Sequence, residues 1–156
     1  MSLRLRRFIL ENHAYHTIST TLHRAPILAD ESAAEVVVDA LQFVRKDKAF
    51  VLAYAVMPDH VHVLLVPKDP WTLSQVMQTI KGYASREINR GHERKGPLFQ
   101  RSFYDRVIRD EAQLASTIQY IEGNPVSAGL VSIASDYQFS SARRGVETDL
   151  EAWLGG

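Results

Sequence analysis

The chain has 156 residues, 46% apolar and 23% charged, which suits one soluble globular domain over 1–156 with a core of its own. It has no cysteine, which excludes disulfides, thiolate metal sites and cysteine nucleophiles, and no apolar run long enough to cross a membrane. Formal net charge is zero but unevenly spread: positions 81–109 hold eight basic residues against three acidic ones, a net of +5 that leaves −5 elsewhere. Such a stripe on a neutral protein is the footprint of a nucleic-acid partner, although charge alone fits a solvated helix face equally well. Arg4, Arg6 and Arg7 near the N-terminus are not followed by the apolar run of a signal peptide, so the expected location is the cytoplasm.

Tyr15 to His23 reads as a first strand, with Thr17, Ser19 and Thr21 alternating against Ile18, Thr20 and Leu22, and Pro26 closes it. A helix is expected from Asp30, its cap, to Lys46, burying Val37, Ala40, Leu41 and Val44. Phe50 to Val56 and His60 to Val66 form two strands of an antiparallel hairpin about a Pro58-Asp59 turn. Pro67 and Pro70 end the pair.

Thr72 then caps a helix to Arg90, with Leu73, Val76, Met77, Ile80 and Ala84 on its buried stripe and Gly91 as the stop. Leu98 to Ile108 suggests a fourth strand or an extended aromatic segment. Asp110 and Gln113 make a capping-box-like start for a last helix, which buries Leu114, Ile118 and Ile121 and which Asn124-Pro125 interrupts. From Ser132 onward no period is visible. The order strand, helix, strand, strand, helix, strand predicts an α+β, ferredoxin-like or RRM-like antiparallel sheet (βαββαβ) with helices on one face. The other face is left free, and one more helix at the C-terminal end would carry the catalytic group.

On the third strand, His60 and His62 share one face while Val61, Val63 and Leu65 take the other. Two imidazoles ~7 Å apart along a strand can grip one metal ion, although histidines at this spacing also occur for structural reasons. Two nitrogens suit a hard ion such as Mg²⁺ or Mn²⁺ only weakly, so oxygen ligands would be needed as well. In the last helix Tyr120 lies about 200° around from Ile118, away from the core stripe, and Asn124 follows one turn later on the same side. A phenol brought over the histidine face would be a nucleophile beside its Lewis acid; otherwise Tyr120 is a packing residue and Asn124 caps the segment at Pro125. Tyr104 lacks an amide one turn later, and Tyr83 falls on the second helix. Phe99, Phe103 and Tyr104 could stack unpaired bases or fill the core.

Several motifs stand in the order and spacing of one known family. They are Met57-Pro58-Asp59 before His60-Val61-His62; Ile80-Lys81-Gly82; Gly96-Pro97-Leu98-Phe99-Gln100 with Arg106; Tyr120-Ile121; Asn124-Pro125-Val126; and Gly129-Leu130-Val131. From about Tyr15 to Arg144 the chain resembles the IS200-like, single-tyrosine (Y1) transposases of the HUH nuclease superfamily, and more closely the REP-associated tyrosine transposases. Each motif alone is common; the set is specific.

The resemblance implies a metal-dependent single-stranded DNA endonuclease and strand-transferase. His60, His62 and Asn124 would hold a divalent metal, Mg²⁺ or Mn²⁺. Tyr120 would attack the scissile phosphate, leaving a 5′-phosphotyrosine and a free 3′-hydroxyl. Lys81, Arg86, Arg90, Lys95, Arg101 and Arg106 would hold the backbone of DNA bearing a hairpin. Relatives include dimers in which the tyrosine serves the partner's histidines, so monomer and homodimer are both open, with a monomer acting in cis favoured by the REP-associated branch. Two rival readings are a non-catalytic RRM-like nucleic-acid-binding protein and a small hydrolase whose nucleophile is water.

Overall fold

In the computed structural model residues 13–155 are described, and Arg4, Arg6 and Arg7 lie outside them. The elements are β1 (Tyr15–Thr20), α1 (Glu31–Arg45), β2 (Ala49–Val56), β3 (His60–Pro67), α2 (Leu73–Gly91), β4 (Tyr104–Val107), α3 (Glu111–Ser127) and a short α4 (Leu150–Gly155). The strands make one antiparallel sheet in the order β2-β3-β1-β4, the expected α+β arrangement. Among the described residues no helix is long and apolar enough to cross a membrane.

The three long helices start where their caps dictate. Asp30 accepts from the Ala33 amide, Thr72 and Gln75 form a full capping box, and Asp110 accepts from the Gln113 amide. On one face of the sheet, Val61, Val63 and Leu65 meet the buried stripes of α1 and α2. β1 and the residue after it bring Thr17, Ser19 and Thr21 rather than aliphatic residues to this face, the Ser19 hydroxyl without a partner among the described residues. Thr17 donates to the Val63 carbonyl, and Thr21 donates to the carbonyls of Ala25 and Asp59, so neither hydroxyl is stranded.

The opposite face is not free as expected. Its β2–β3 half is covered by α3 and α4, where Leu52, Ala55, Leu64 and Val66 pack with Leu114, Ile121 and Trp153. The aperiodic tail contributes to this. It runs along the outer edge of β2, with the Val56 amide donating to Phe139 and the Ser141 amide donating to Tyr54. Asp149 then receives both the Arg45 guanidinium, at 2.9 Å from each of two nitrogens, and the Val51 amide. Among the described residues, only the β1–β4 half of the face stays open.

Four boundaries differ from the sequence reading. β1 ends at Thr20, because His23 and Arg24 adopt left-handed φ values of 58° and 53°. α2 runs through Gly91, and Glu93 (φ 50°) takes the left-handed turn assigned to that glycine, while Asn89 ties the exit by accepting from the Arg94 guanidinium and donating to Gly96. The fourth strand is only Tyr104–Val107, because Leu98 and Phe99 turn into the core and Phe103 packs against it. Asn124-Pro125 does not interrupt α3. Pro125 is a buried member of its last turn, and the helix ends at Gly129 (φ 77°), with the Leu130 amide donating to Pro125 and the Gly129 amide to Val126.

Candidate active site

The register of three strands assembles the site. His62 lies opposite Ile18 and His60 opposite Thr20 across β1–β3, while His16 lies opposite Arg106 and Ile18 opposite Tyr104 across β1–β4. Side chains directly opposite share a face. His16, His60, His62, Tyr104 and Arg106 therefore point to the side that α3 partly covers. A groove of about 370 Å³ remains there, bounded by His16, Ile18, Tyr104 and Arg106 on the sheet and by Gln113, Thr117 and Tyr120 on α3.

The two histidines of β3 are held differently. At the hairpin turn, His60 Nδ1–H donates to Asp59 Oδ1 at 2.7 Å, and Arg24 Nε–H donates to the other carboxylate oxygen at 3.1 Å. The bond from His60, assisted by Arg24, holds the Asp59 carboxyl below its ordinary range, so it can only accept. This bond places a hydrogen of His60 on Nδ1, which directs Nε2 away from the carboxylate. His62 is deeper, at 2% exposure, and its Nδ1 is 2.9 Å from His16 Nε2. Its own Nε2 is buried with no hydrogen-bond partner, one of few such atoms among the described residues. Burial first, then repulsion by His60 and His16, pulls the His62 imidazole down to about 3. Burial, with the Arg106 charge behind it, brings His16 to about 4. Both rings are neutral at physiological pH.

Tyr120 stands over this group. Its ring is edge-on to His62 at 5.7 Å and to His16 at 6.0 Å between centroids, yet the residue is 58% exposed. Ile121 is buried on the opposite side of α3 and Glu122 accepts from Ser141 of the tail at 2.6 Å, so core and tail together set the helix's position over the sheet. Asn124, half-buried, follows one turn on, about 40° round the same helix from Tyr120.

The predicted cations are not gathered in one place. Arg106 borders the groove beside Tyr120. Arg86 and Arg90 are exposed on α2, across the other face of the sheet, and Arg90 is paired with Glu87. Lys95 and Arg101 are exposed on the segment joining α2 to β4. Lys81 is spent partly on structure: its ammonium donates to the carbonyls of Gln100 at 2.7 Å and Arg101 at 3.2 Å, and burial lowers its pKa. The basic residues are therefore divided among the groove, the segment joining α2 to β4, and α2 on the other face.

A family profile described as "Transposase IS200 like" matches residues 9–124, about three quarters of the chain and the full span from β1 to Asn124. The chain belongs to the IS200-like transposase family. Among curated relatives, a provisionally named REP-associated tyrosine transposase of Haemophilus influenzae is 30% identical over 116 residues, 67% of this chain and 66% of its own length. The chain thus spans just under two thirds of that relative. The REP-associated tyrosine transposase of Escherichia coli K12 is 27% identical over 154 residues, 96% of this chain and 88% of that one. Of solved structures, a REP-associated tyrosine transposase bound to a REP hairpin shares the fold with a TM-score of 0.69 at 22% identity, covering 87% of this chain and 82% of the other. A provisionally named transposase of Deinococcus radiodurans gives 0.53 at 27% identity, with 70% and 88% covered.

The donor set near Tyr120 bears on whether a metal fits. Among the described residues there is no group of three or more His, Cys, Asp or Glu side chains that could hold one. What is present is two imidazoles, one with a buried Nε2 that has no hydrogen-bond partner among the described residues, and an amide one turn beyond Tyr120. Two nitrogens and an amide oxygen leave positions for phosphate or water oxygens, which fits an octahedral ion, and the nitrogens favour Mn²⁺ over Mg²⁺.

His16, Asp59 and Arg24 are absent from the sequence-derived site. The alternation that sets Thr17 against Ile18 also places His16 on the side of Ile18, but only the β1–β3 register shows that this is the side of His62.

Proposed function

We propose that the chain, as a single domain acting in the cytoplasm, is a metal-dependent single-stranded DNA endonuclease and strand-transferase working through a covalent 5′-phosphotyrosine. The observation that carries this reading is the placement of Tyr120: an exposed phenol edge-on to a buried imidazole whose Nε2 has no hydrogen-bond partner among the described residues. His60 and His62, with the Asn124 amide oxygen, would hold a divalent ion, which when bound would supply charge to polarise the phosphate and favour the phenolate. The Tyr120 oxygen forms a bond to phosphorus and loses its proton to solvent. The bond from phosphorus to the 3′-oxygen breaks, and that oxygen leaves as a protonated 3′-hydroxyl. Attack by a 3′-hydroxyl reverses the exchange and restores the phenol, one phosphodiester for another, so no external energy source is needed.

Arg106 lies where a phosphate next to the scissile one would run, and Tyr104, 56% exposed across the groove, offers a face to an unpaired base. Lys95, Arg101, Lys81, Arg86 and Arg90 continue the backbone contacts beyond the groove. A relative solved with a REP hairpin supports hairpin-bearing DNA as the substrate class. Tyr120 serving histidines of its own chain supports a monomer acting in cis rather than a dimer exchanging tyrosines.

The test is incubation of labelled single-stranded DNA carrying a hairpin with the protein and Mn²⁺, followed by denaturing electrophoresis. A covalent protein–DNA band is expected, lost in Tyr120→Phe and in His62→Ala. Cleavage without an adduct, or an adduct that survives Tyr120→Phe, would refute the tyrosine as nucleophile.

A further inference from the structure

Resting on that reading of the metal pair, we infer that His16 is a positioning residue: by accepting a hydrogen bond from His62 Nδ1–H it holds His62 in the tautomer whose Nε2 lone pair can bind the ion. The two β3 histidines pose the same problem and are solved with different chemistry. A neutral imidazole binds metal through whichever nitrogen lacks hydrogen, and the bond made by the other nitrogen decides which that is. His60 has a hydrogen placed at Nδ1 by Asp59. His62 has no carboxylate; the atom within reach of its Nδ1 is His16 Nε2 at 2.9 Å.

A nitrogen–nitrogen contact of that length has one hydrogen between its ends, and geometry alone does not say whose. The surroundings do. If His16 donated, the hydrogen of His62 would sit on Nε2, a buried N–H with no acceptor and no lone pair left for a metal. If His62 donates, Nε2 is bare and faces the position the ion would take, and His16 carries its own hydrogen on Nδ1. The rings lie near parallel, 24° apart, at 5.2 Å, so His16 also fixes the plane of His62. The residue touches neither phosphate nor ion; it acts through His62.

The experiment has two arms. In the metal-free protein, long-range nitrogen–proton correlation spectra report the tautomer of each histidine, and His62 is expected as the Nδ1–H form. Mn²⁺ titration followed by electron paramagnetic resonance reads affinity without any catalytic step. His16→Phe keeps a buried ring but no acceptor and should weaken Mn²⁺ binding about 10- to 100-fold, the usual cost of losing the partner of a metal-binding histidine. His16→Gln, with an amide oxygen able to accept, should recover most of it. A wild-type His62 found with its hydrogen on Nε2, or Mn²⁺ bound equally well by His16→Phe, overturns the role of His16 while the metal pair stands. Wild-type protein that fails to bind Mn²⁺, or binding unchanged in His62→Ala, refutes the metal pair itself, and the role of His16 falls with it. Should His16→Phe not fold, the wild-type spectra and His16→Gln still decide.

Discussion

Under α1 and α2 the sheet meets a continuous apolar core, with Val61, Val63 and Leu65 fully enclosed. Across the same strand, one residue out of step, His60 and His62 lie on the opposite face, which is apolar around Leu64 and opens into a polar groove beside His16 and Tyr120. The same β3 backbone thus carries stability on one side and, in the proposed reaction, chemistry on the other. Strand periodicity makes this possible, since neighbouring residues never share a face. The division also explains how a buried, unpartnered nitrogen can be tolerated: the sealed face contributes the free energy that the reactive face gives up.

The largest expected effect is on the sealed side. Leu65→Ala removes a fully buried side chain from the α1–α2 core and should cost about 2–5 kcal/mol in urea unfolding. Tyr120→Phe, on an exposed residue of the other face, should leave the urea midpoint unchanged while abolishing the DNA adduct. A clear stability loss in Tyr120→Phe would mean that its hydroxyl is structural and that the two faces are not so divided.

Next in size is the response to acid, which belongs to the histidine face. In the folded, metal-free protein His62 and His16 titrate at about 3 and about 4, whereas in the unfolded chain they titrate near 6.5. Above that pH both states are neutral and the pair contributes nothing. As pH falls below it, the unfolded chain gains protons that the folded site refuses, so stability drops towards pH 4 and levels off only below the folded values. By pH 5 the loss should be on the order of 2 kcal/mol for each histidine. Urea unfolding between pH 7.5 and 5 measures it, and His16→Phe should roughly halve the slope. A flat profile would mean that the two imidazoles are open to water.

Much of this was legible in the chain because it rests on local rules. Asp30, Thr72 and Asp110 announce their helices through hydroxyl or carboxylate caps, and alternation separates His60 and His62 from Val61 and Val63 without reference to any partner strand. What was hidden depends on pairing at long range. The contact between His16 and His62 spans 46 positions and exists only because Ile18, not Thr17 or Ser19, lies opposite His62. Pro125 misled because its local bias against helix was outweighed by burial and by the turn at Gly129. Between α3 and α4 the tail has no period because, apart from one 3₁₀ turn at Ala134–Asp136, it is neither helix nor full strand; it is held by individual hydrogen bonds to the edge of β2.

That tail leads to the smallest and most discriminating effect. Ser141 ties to both halves of the comparison: its amide donates to Tyr54 of β2, and its hydroxyl donates to Glu122, two residues from Tyr120. Loss of one such bond to a carboxylate should cost roughly 1–3 kcal/mol, towards the low end here because the pair is only part-buried. Glu122→Ala should therefore lower the urea midpoint slightly. Its main consequence should be kinetic, because a helix less firmly fixed over the sheet holds the phenol in attacking position for less of the time. Adduct formation should slow several-fold while Mn²⁺ affinity stays at the wild-type level, since His60, His62 and their partners are untouched. Glu122→Gln, which still offers an oxygen to Ser141, should restore the rate. If Glu122→Ala weakens Mn²⁺ binding as much as it slows the adduct, then α3 holds the metal-binding strand in place as well as the tyrosine, and the ion and the nucleophile are not positioned independently.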